Sequence, residues 1–294
     1  MPDVNQKKIK IAAIVGPTAS GKTALAIALA QELDGEIISC DSMQIYRGMD
    51  VGTAKPNAEE LAAAPHHLIN ILPPDAPYSC SDYVRDAEAA IEDISSRGKL
   101  PILCGGTGLY LDRLLRGGVE DCAASDENIR QELWEIAERE GADALHQRLA
   151  ELDPESAEAI HKNNVKRVIR ALEVCLVTGQ KKSEIDKLNS EISDKYDHTV
   201  IMLAFNNREL LYDRIDRRVD IMMEQGLLAE VQGLVQYKNL PALKTVGYRE
   251  IFDHFDGVHS LETAVELIKR NSRHYAKKQL TYWGRDKEIS WMMF

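Results

Sequence analysis

Cysteine is sparse. The five thiols, Cys40, Cys80, Cys104, Cys122 and Cys175, form no CxxC pair and fall at no metal-ligand spacing. That excludes a zinc ribbon or a disulfide scaffold and leaves reduced, mostly buried thiols. Long apolar runs are missing, and none has the length a membrane-spanning helix needs. The opening MPDVNQKKIKIAAIVG is polar before it turns β-like. It lacks the apolar stretch and small-residue cleavage site of a secretory leader. A cytoplasmic protein with no membrane partner is expected. No internal repeat or low-complexity tract is present. Positive charge is in deficit, with 36 Lys and Arg against 47 Asp and Glu, a net charge of −11. Phosphate contacts need cations, so this balance argues mildly against a nucleic-acid partner. Distribution decides more than the total. Acidity concentrates between Glu120 and Glu158, whereas cations gather at Lys166–Arg170, Arg214–Arg218 and Lys269–Lys287. An acidic chain with local basic faces can still bind RNA.

The 294 residues, 44% hydrophobic and 28% charged, suffice for one large or two ordinary domains with a real core. Ile9–Val15 reads as a short buried strand and Lys22–Leu33 as a helix with an Ala/Leu face. Glu36–Cys40 is a second strand. A Gly/Pro-containing stretch runs on to Pro77. Ser79 and Ser81 are candidate caps of a helix reaching about Arg97. Leu100–Cys104 is a third strand, closed by Gly105-Gly106. Such alternation predicts an α/β fold, a parallel sheet flanked by helices. Residues 126 to 178 read as purely helical, with a start at Asp153-Pro154 and a stop at Thr178-Gly179. A strand-like run, Thr199–Phe205, then returns to the sheet. Arg208–Gln225, Leu227–Tyr237 and Leu261–Tyr282 are further helices. The expected division is a first part of the core over residues 1–118, a helical insertion over 119–198, and the rest of the core with a basic C-terminal helix over 199–294.

Gly16, Pro17, Thr18, Ala19, Ser20, Gly21, Lys22 and Thr23 match G-x-x-x-x-G-K-[ST] in full, after a strand and at the start of a helix. Consecutive N–H groups and a helix N-terminus attract phosphate oxygens there. Lys22 adds a charge, and the Thr23 hydroxyl is placed to ligate Mg²⁺. The motif specifies a di- or triphosphate and leaves open which one. Asp41 follows the second strand and faces the same crevice, where ligands of open α/β sheets bind. It has three readings: a magnesium ligand, a proton acceptor, or a turn cap. Thr107 follows Gly105-Gly106 and reads either as a phosphate or nucleic-acid contact or as a helix N-cap. Arg214 and Arg218 share a helix face, either as part of an ion-paired surface or as a lid gripping phosphates. His66-His67 is read as a hydrogen-bonding pair. The same start suits a small-molecule kinase; an ATP-dependence assay separates the two.

GPTASGKT (Gly16–Thr23), DSMQIYRGMDVGTAKP (Asp41–Pro56), HHLI (His66–Ile69), GGTGLY (Gly105–Tyr110), KRVIRALEV (Lys166–Val174) and VGYREI (Val246–Ile251) together resemble the bacterial tRNA dimethylallyltransferases. The resemblance runs in order from about Ile9 to Lys287. It implies a P-loop NTPase-like core with an all-helical, tRNA-binding insertion. The implied activity is transfer of a dimethylallyl group from dimethylallyl diphosphate to N6 of adenosine 37, in tRNAs reading codons that begin with U. Mg²⁺ is the implied cofactor, the anticodon stem-loop the implied partner, and a monomer is compatible with both. Such loops are often called ATP- or nucleotide-binding, yet a diphosphate is all the cradle requires. Position by position, Asp41 matches the general base, and Asp41, Ser42, Met43 and Gln44 match the segment around the flipped-out base. Thr23 and Arg218 match groups on the diphosphate. Thr107, Arg130 and the stretch Lys166, Arg167, Val168, Ile169 and Arg170 match tRNA contacts, with Lys166 standing where the family commonly has Gln.

Overall fold

The computed structural model describes residues 8–117, 126–189, 195–287 and 289–294. Glu120, Cys122 and the expected boundary between Gly118 and Val119 lie outside the described residues. The chain forms two compact units. One comprises Met1–Tyr78, Asp86–Leu111 and Lys195–Phe294; the other comprises Ser79–Arg85 and Asp112–Asp194.

The first unit is built on six parallel strands in the order β3-β2-β4-β1-β5-β6. In chain order these are β1 (Ile9–Val15), β2 (Gly35–Cys40), β3 (His66–His67), β4 (Leu100–Gly105), β5 (Tyr196–Ala204) and β6 (Ser290–Met293). Every residue of β2 is buried, as expected of a parallel strand covered on both faces. One face packs Ile14, Ile37, Ile102 and Leu203 against Ala26 and Ala30 of α1 (Lys22–Glu32). Small alanines let that helix approach the sheet closely. The strands and long helices match the expected segments, with ends shifted by a few residues. The expected return to the core at residue 199 falls inside β5, which begins at Tyr196.

Five elements go beyond the sequence reading: α2 (Ala58–Ala63), β3, β6 and the helices Lys182–Asn189 and Tyr248–Phe255. Asn57 and Glu60 form a capping box around α2. β3 has two residues and β6 is exposed at the sheet edge, so neither carries a periodic apolar signal. The expected helix Leu227–Tyr237 is interrupted, running as Leu227–Gly233 and then as a 3-10 turn, Val235–Tyr237.

The second unit is helical; it holds the start of α3 (Cys80–Ser96), whose remainder belongs to the first unit, and the end of α4 (Gly108–Arg116), whose start belongs to the first. Then follow α5 (Glu127–Glu140), α6 (Ala142–Leu152), α7 (Pro154–Ala159), α8 (Val165–Thr178) and α9 (Lys182–Asn189). Leu133, Leu145, Leu149, Ala157, Val168, Ile169 and Leu172 form its core. Asp153 caps α7 ahead of Pro154, accepting from Ser156 N at 3.1 Å, and also takes Ser183 N and Oγ at 2.8 and 2.6 Å. Burial raises its pKa, but these hydrogen bonds outweigh it and hold the carboxyl at about 2.

Glu36 is the buried charge of the sheet. It accepts both terminal nitrogens of Arg97, one at 2.8 Å, and His67 Nε2 at 2.8 Å. His66 Nδ1 meets Ala64 O at 2.8 Å, so the histidine pair is hydrogen-bonded as read. The Arg97 bonds, against the opposing effect of burial, lower the Glu36 pKa from 4.5 to about 2. A depressed carboxylate stabilises the fold fully above the unfolded value, and that contribution is lost as pH falls towards 2. Glu36→Gln should therefore cost about 1–3 kcal/mol near neutrality. Urea titrations should show the gap from wild type narrowing between pH 5 and pH 2. An equal gap at both ends would dismiss the Glu36 contribution.

Candidate active site

Parallel register sets the site. Val15 pairs with Gly105 and Cys40 pairs with Gly105, so the segments after β1, β2 and β4 leave the sheet side by side. These are the phosphate loop, Asp41–Gln44 and Gly106-Thr107. Together with the helix α10 (Arg208–Glu224) and the C-terminal helix, they line a cleft of about 1150 Å³ within the first unit. Thr18 to Thr23, Asp41 to Gln44, Gly106, Arg214, Arg217 and Arg218 all face it.

Gly21 adopts φ 97° and supplies no side-chain cap to α1. The first-turn N–H groups of the helix are thereby left for an anion. Lys22 Nζ lies inside the loop, 2.8 Å from Pro17 O. Burial, with a smaller contribution from Arg218, drags its pKa down from 10.5 to about 8, partly offset by Cys104 and Asp41. Burial likewise pushes the Cys104 thiol up to about 11. Arg214 Nε donates to Ala19 O at 2.9 Å, clamping the loop from α10. Arg218, one turn further, makes no hydrogen bond or ion pair among the described residues. Burial lowers its pKa, while Asp41 acts in the opposite sense. Both arginines line the cleft; Arg214 in addition braces the phosphate loop, a role outside the two read from the sequence. The ion-paired reading holds for the helix's acids instead, since Asp216 binds Arg273 at 2.5 Å and Asp220 binds Lys269 at 2.7 Å.

Asp41 Oδ1 accepts from Met43 N at 2.9 Å and Gln44 N at 3.4 Å, a turn cap made while the residue lines the cleft. Gln44 is oriented at both ends, accepting Ser39 Oγ at 3.0 Å and donating to Thr53 O and Ala54 O at 3.4 Å each. The Thr107 hydroxyl accepts Ser42 N–H at 3.1 Å, bracing this turn rather than capping α4. Among the described residues, no three His, Cys, Asp or Glu side chains are grouped to hold a metal ion. Thr23 and Asp41 are among the oxygen donors that line the cleft and would serve Mg²⁺, a sparse hard set. It fits an ion that keeps several waters and rests mainly on phosphate oxygens.

Arg130 and Arg170 lie in the helical unit, both bonded to the fully buried Glu173 at 2.9 and 2.8 Å. Lys166 and Arg167 are the neighbouring cations on α8. Val168 and Ile169 are core residues of this amphipathic helix, 0% and 2% exposed, so their side chains point inward while Lys166 and Arg167 stay exposed. Sequence reasoning passed over Glu230, Tyr248 and Gln279. Glu230 accepts Asp50, Val51 and Gly52 N–H at 2.8, 2.6 and 3.0 Å, plus the Tyr248 hydroxyl at 2.6 Å, pinning the loop beside Gln44. Tyr248 sits in the VGYREI segment, which was the only signal for it.

This geometry agrees with comparison to known proteins. A family model described as IPP transferase matches residues 44–286, and one described as isopentenyl transferase matches residues 9–70. A tRNA dimethylallyltransferase 2 of Geotalea uraniireducens is 49% identical over 292 residues, covering 98% of this chain and 94% of the relative. A tRNA dimethylallyltransferase of Bacillus cereus is 47% identical over 285 residues, covering 96% and 89%. The solved tRNA isopentenylpyrophosphate transferase of Bacillus halodurans superposes with TM-score 0.70 at 43% identity, covering 97% of this chain and 90% of that one. A eukaryotic dimethylallyltransferase acting on tRNA superposes with TM-score 0.84 at 31% identity, covering 97% and 73%. The chain belongs to the IPP transferase family.

Lys22 is expected to make anion binding depend on pH. Its charge is present below about 8 and lost above, so pyrophosphate should bind progressively more weakly from pH 7 to pH 9.5. Lys22→Arg, which stays charged throughout, should flatten that part of the profile. Calorimetry giving the same pH slope for both proteins would show that Lys22 does not hold the anion.

Proposed function

We propose that this chain transfers a dimethylallyl group from dimethylallyl diphosphate to N6 of adenosine 37 in tRNAs reading codons that begin with U. One observation carries the reading: a single cleft joins a phosphate loop and the unpaired Arg218 to a carboxylate. Ile221, Met222, Val246 and Ile268 line the same cleft and offer an apolar wall for a five-carbon tail.

An exocyclic adenine nitrogen is a weak nucleophile, because its lone pair is delocalised into the ring. The partner must therefore be a strong electrophile. An allylic carbon bearing diphosphate qualifies, since its developing positive charge is delocalised. The C–O bond breaks and the diphosphate leaves with the electron pair. The loop N–H groups, Lys22 and Arg218 stabilise the charge that builds there. Bound Mg²⁺, held by Thr23, would supply further charge neutralisation. The N6–C bond forms, and Asp41 takes the proton that N6 sheds. The cleft must exclude water, or the donor would be hydrolysed. The adenine must leave its stack to reach Asp41, at a cost of a few kcal/mol that phosphate contacts elsewhere on the RNA offset.

The test uses radiolabelled dimethylallyl diphosphate, Mg²⁺ and bulk tRNA lacking the modification, with the labelled nucleotide mapped afterwards. Asp41→Ala should lose transfer by roughly 10²–10⁴-fold, as expected for removal of a general base, while tRNA affinity stays within a few-fold. Label on no RNA at all, or near-normal turnover by Asp41→Ala, would refute the respective assignments.

A further inference from the structure

Gln279 stands on the C-terminal helix α13 (Leu261–Trp283, following α11, Leu227–Gly233, and α12, Tyr248–Phe255). It is 6% exposed and joins the two segments that wall the phosphate loop. Its Oε1 accepts Thr18 N–H at 2.9 Å, and its Nε2 donates to Gly106 O at 3.1 Å. The amide orientation is settled by these partners, since an N–H needs an acceptor and a carbonyl needs a donor. Gly106 is required beneath it: a Cβ there would lie 2.2 Å from Nε2.

The position of this bridge along the loop carries the argument. In a loop of this kind, N–H groups cradle the first phosphates, and the lysine reaches towards the outer ones. Here the ammonium rests 2.8 Å from Pro17 O, so the outer end of a phosphate chain would meet Pro17-Thr18. The Thr18 N–H at that end is already taken, and what faces an arriving phosphate is the electron-rich oxygen of a carboxamide. Ser20 N–H turns back to Pro17 O at 3.3 Å. The N–H groups of Ala19, Gly21, Lys22 and Thr23 find no acceptor among the described residues, which leaves an inner cradle open while its outer end is closed. Swinging Gln279 aside would strand the part-buried Thr18 N–H and the buried Gly106 carbonyl.

We infer that Gln279 is a specificity-determining residue, one that closes the outer end of the loop so that the cradle accepts a diphosphate and rejects a triphosphate. The inference rests on the donor-site reading above and goes further, because it assigns the exclusion of nucleoside triphosphates to one side chain.

Calorimetry with inorganic pyrophosphate and inorganic tripolyphosphate, both with Mg²⁺, tests it on wild type, Gln279→Leu and Gln279→Glu, with thermal unfolding as the check on folding. Wild type should prefer pyrophosphate by roughly tenfold or more, the value of one charge-assisted hydrogen bond. Gln279→Leu fills the same volume but frees the Thr18 N–H, and should shrink that preference by about tenfold. Gln279→Glu keeps an acceptor and adds a negative charge, and should retain the preference. If Gln279→Leu fails to fold, Gln279→Ala carries the same expectation. Equal affinity for the two anions in wild type, or an unchanged ratio in the Leu or Ala variant, overturns the role of Gln279. A wild type that moves the prenyl group onto RNA yet shows either result loses only this inference. A wild type that binds neither anion and labels no RNA loses the donor-site reading as well.

Discussion

Parallel register brings Val15, Cys40 and Gly105 to a common level, and the three segments that follow them inherit their positions from that alignment. A one-residue slip between β1 and β4 would turn the side chains of one strand to the opposite face of the sheet. It would also part the phosphate loop from Gly106-Thr107. The register is held by burial on both faces, with Ile14, Ile37, Ile102 and Leu203 in one cluster. Chemistry at the carboxyl ends of the strands is therefore set by hydrophobic packing at their middles.

The same arrangement crowds cations. Lys22, Arg214 and Arg218 converge on a cleft in which Asp41 is the nearby counter-charge, and burial lowers the pKa of both Lys22 and Arg218. Cations crowded in this way are electrostatically unfavourable, and an anionic ligand would relieve them. Strain of this kind is common where binding must be strong at one atom and weak elsewhere. Arg214 avoids the conflict by turning to Ala19 O, which stiffens the loop without adding charge at the anion position.

Much of this was legible from the chain. The phosphate loop declares itself because its glycines, lysine and hydroxyl must be contiguous, and β1 and α1 declare themselves through local periodicity. Asp41 was placed by its position after β2. The bracing contacts of the site that escaped reading share one physical character: the partner is far away in sequence. Gln279 meets Thr18 across 261 residues, and Glu230 meets Asp50 across 180. No pattern within a window of neighbours encodes either. Val168 and Ile169 show the converse, since a contiguous basic stretch was read as one surface although helical geometry divides it, with Arg170 outward and its two predecessors inward.

The helical unit bears on how an acidic chain can engage RNA. Two of its arginines, Arg130 and Arg170, are not loose surface charges, because Glu173 holds both guanidinium groups while itself fully buried. Glu173 also accepts Asp126 N–H at 3.0 Å, so α5 and α8 are tied at the same carboxylate. Burying that carboxylate is costly, and the hydrogen bonds around it keep it ionised despite the cost. The return is orientation. A phosphate arriving at this face would meet guanidinium planes already fixed, with less side-chain entropy to lose than a lysine would surrender. Exposed Lys166 and Arg167 on the same helix contribute mainly attraction at a distance, which salt screens within about 10 Å. Net charge is therefore a poor guide to local charge: two arginines anchored on one buried carboxylate set a fixed cationic point within an acidic chain.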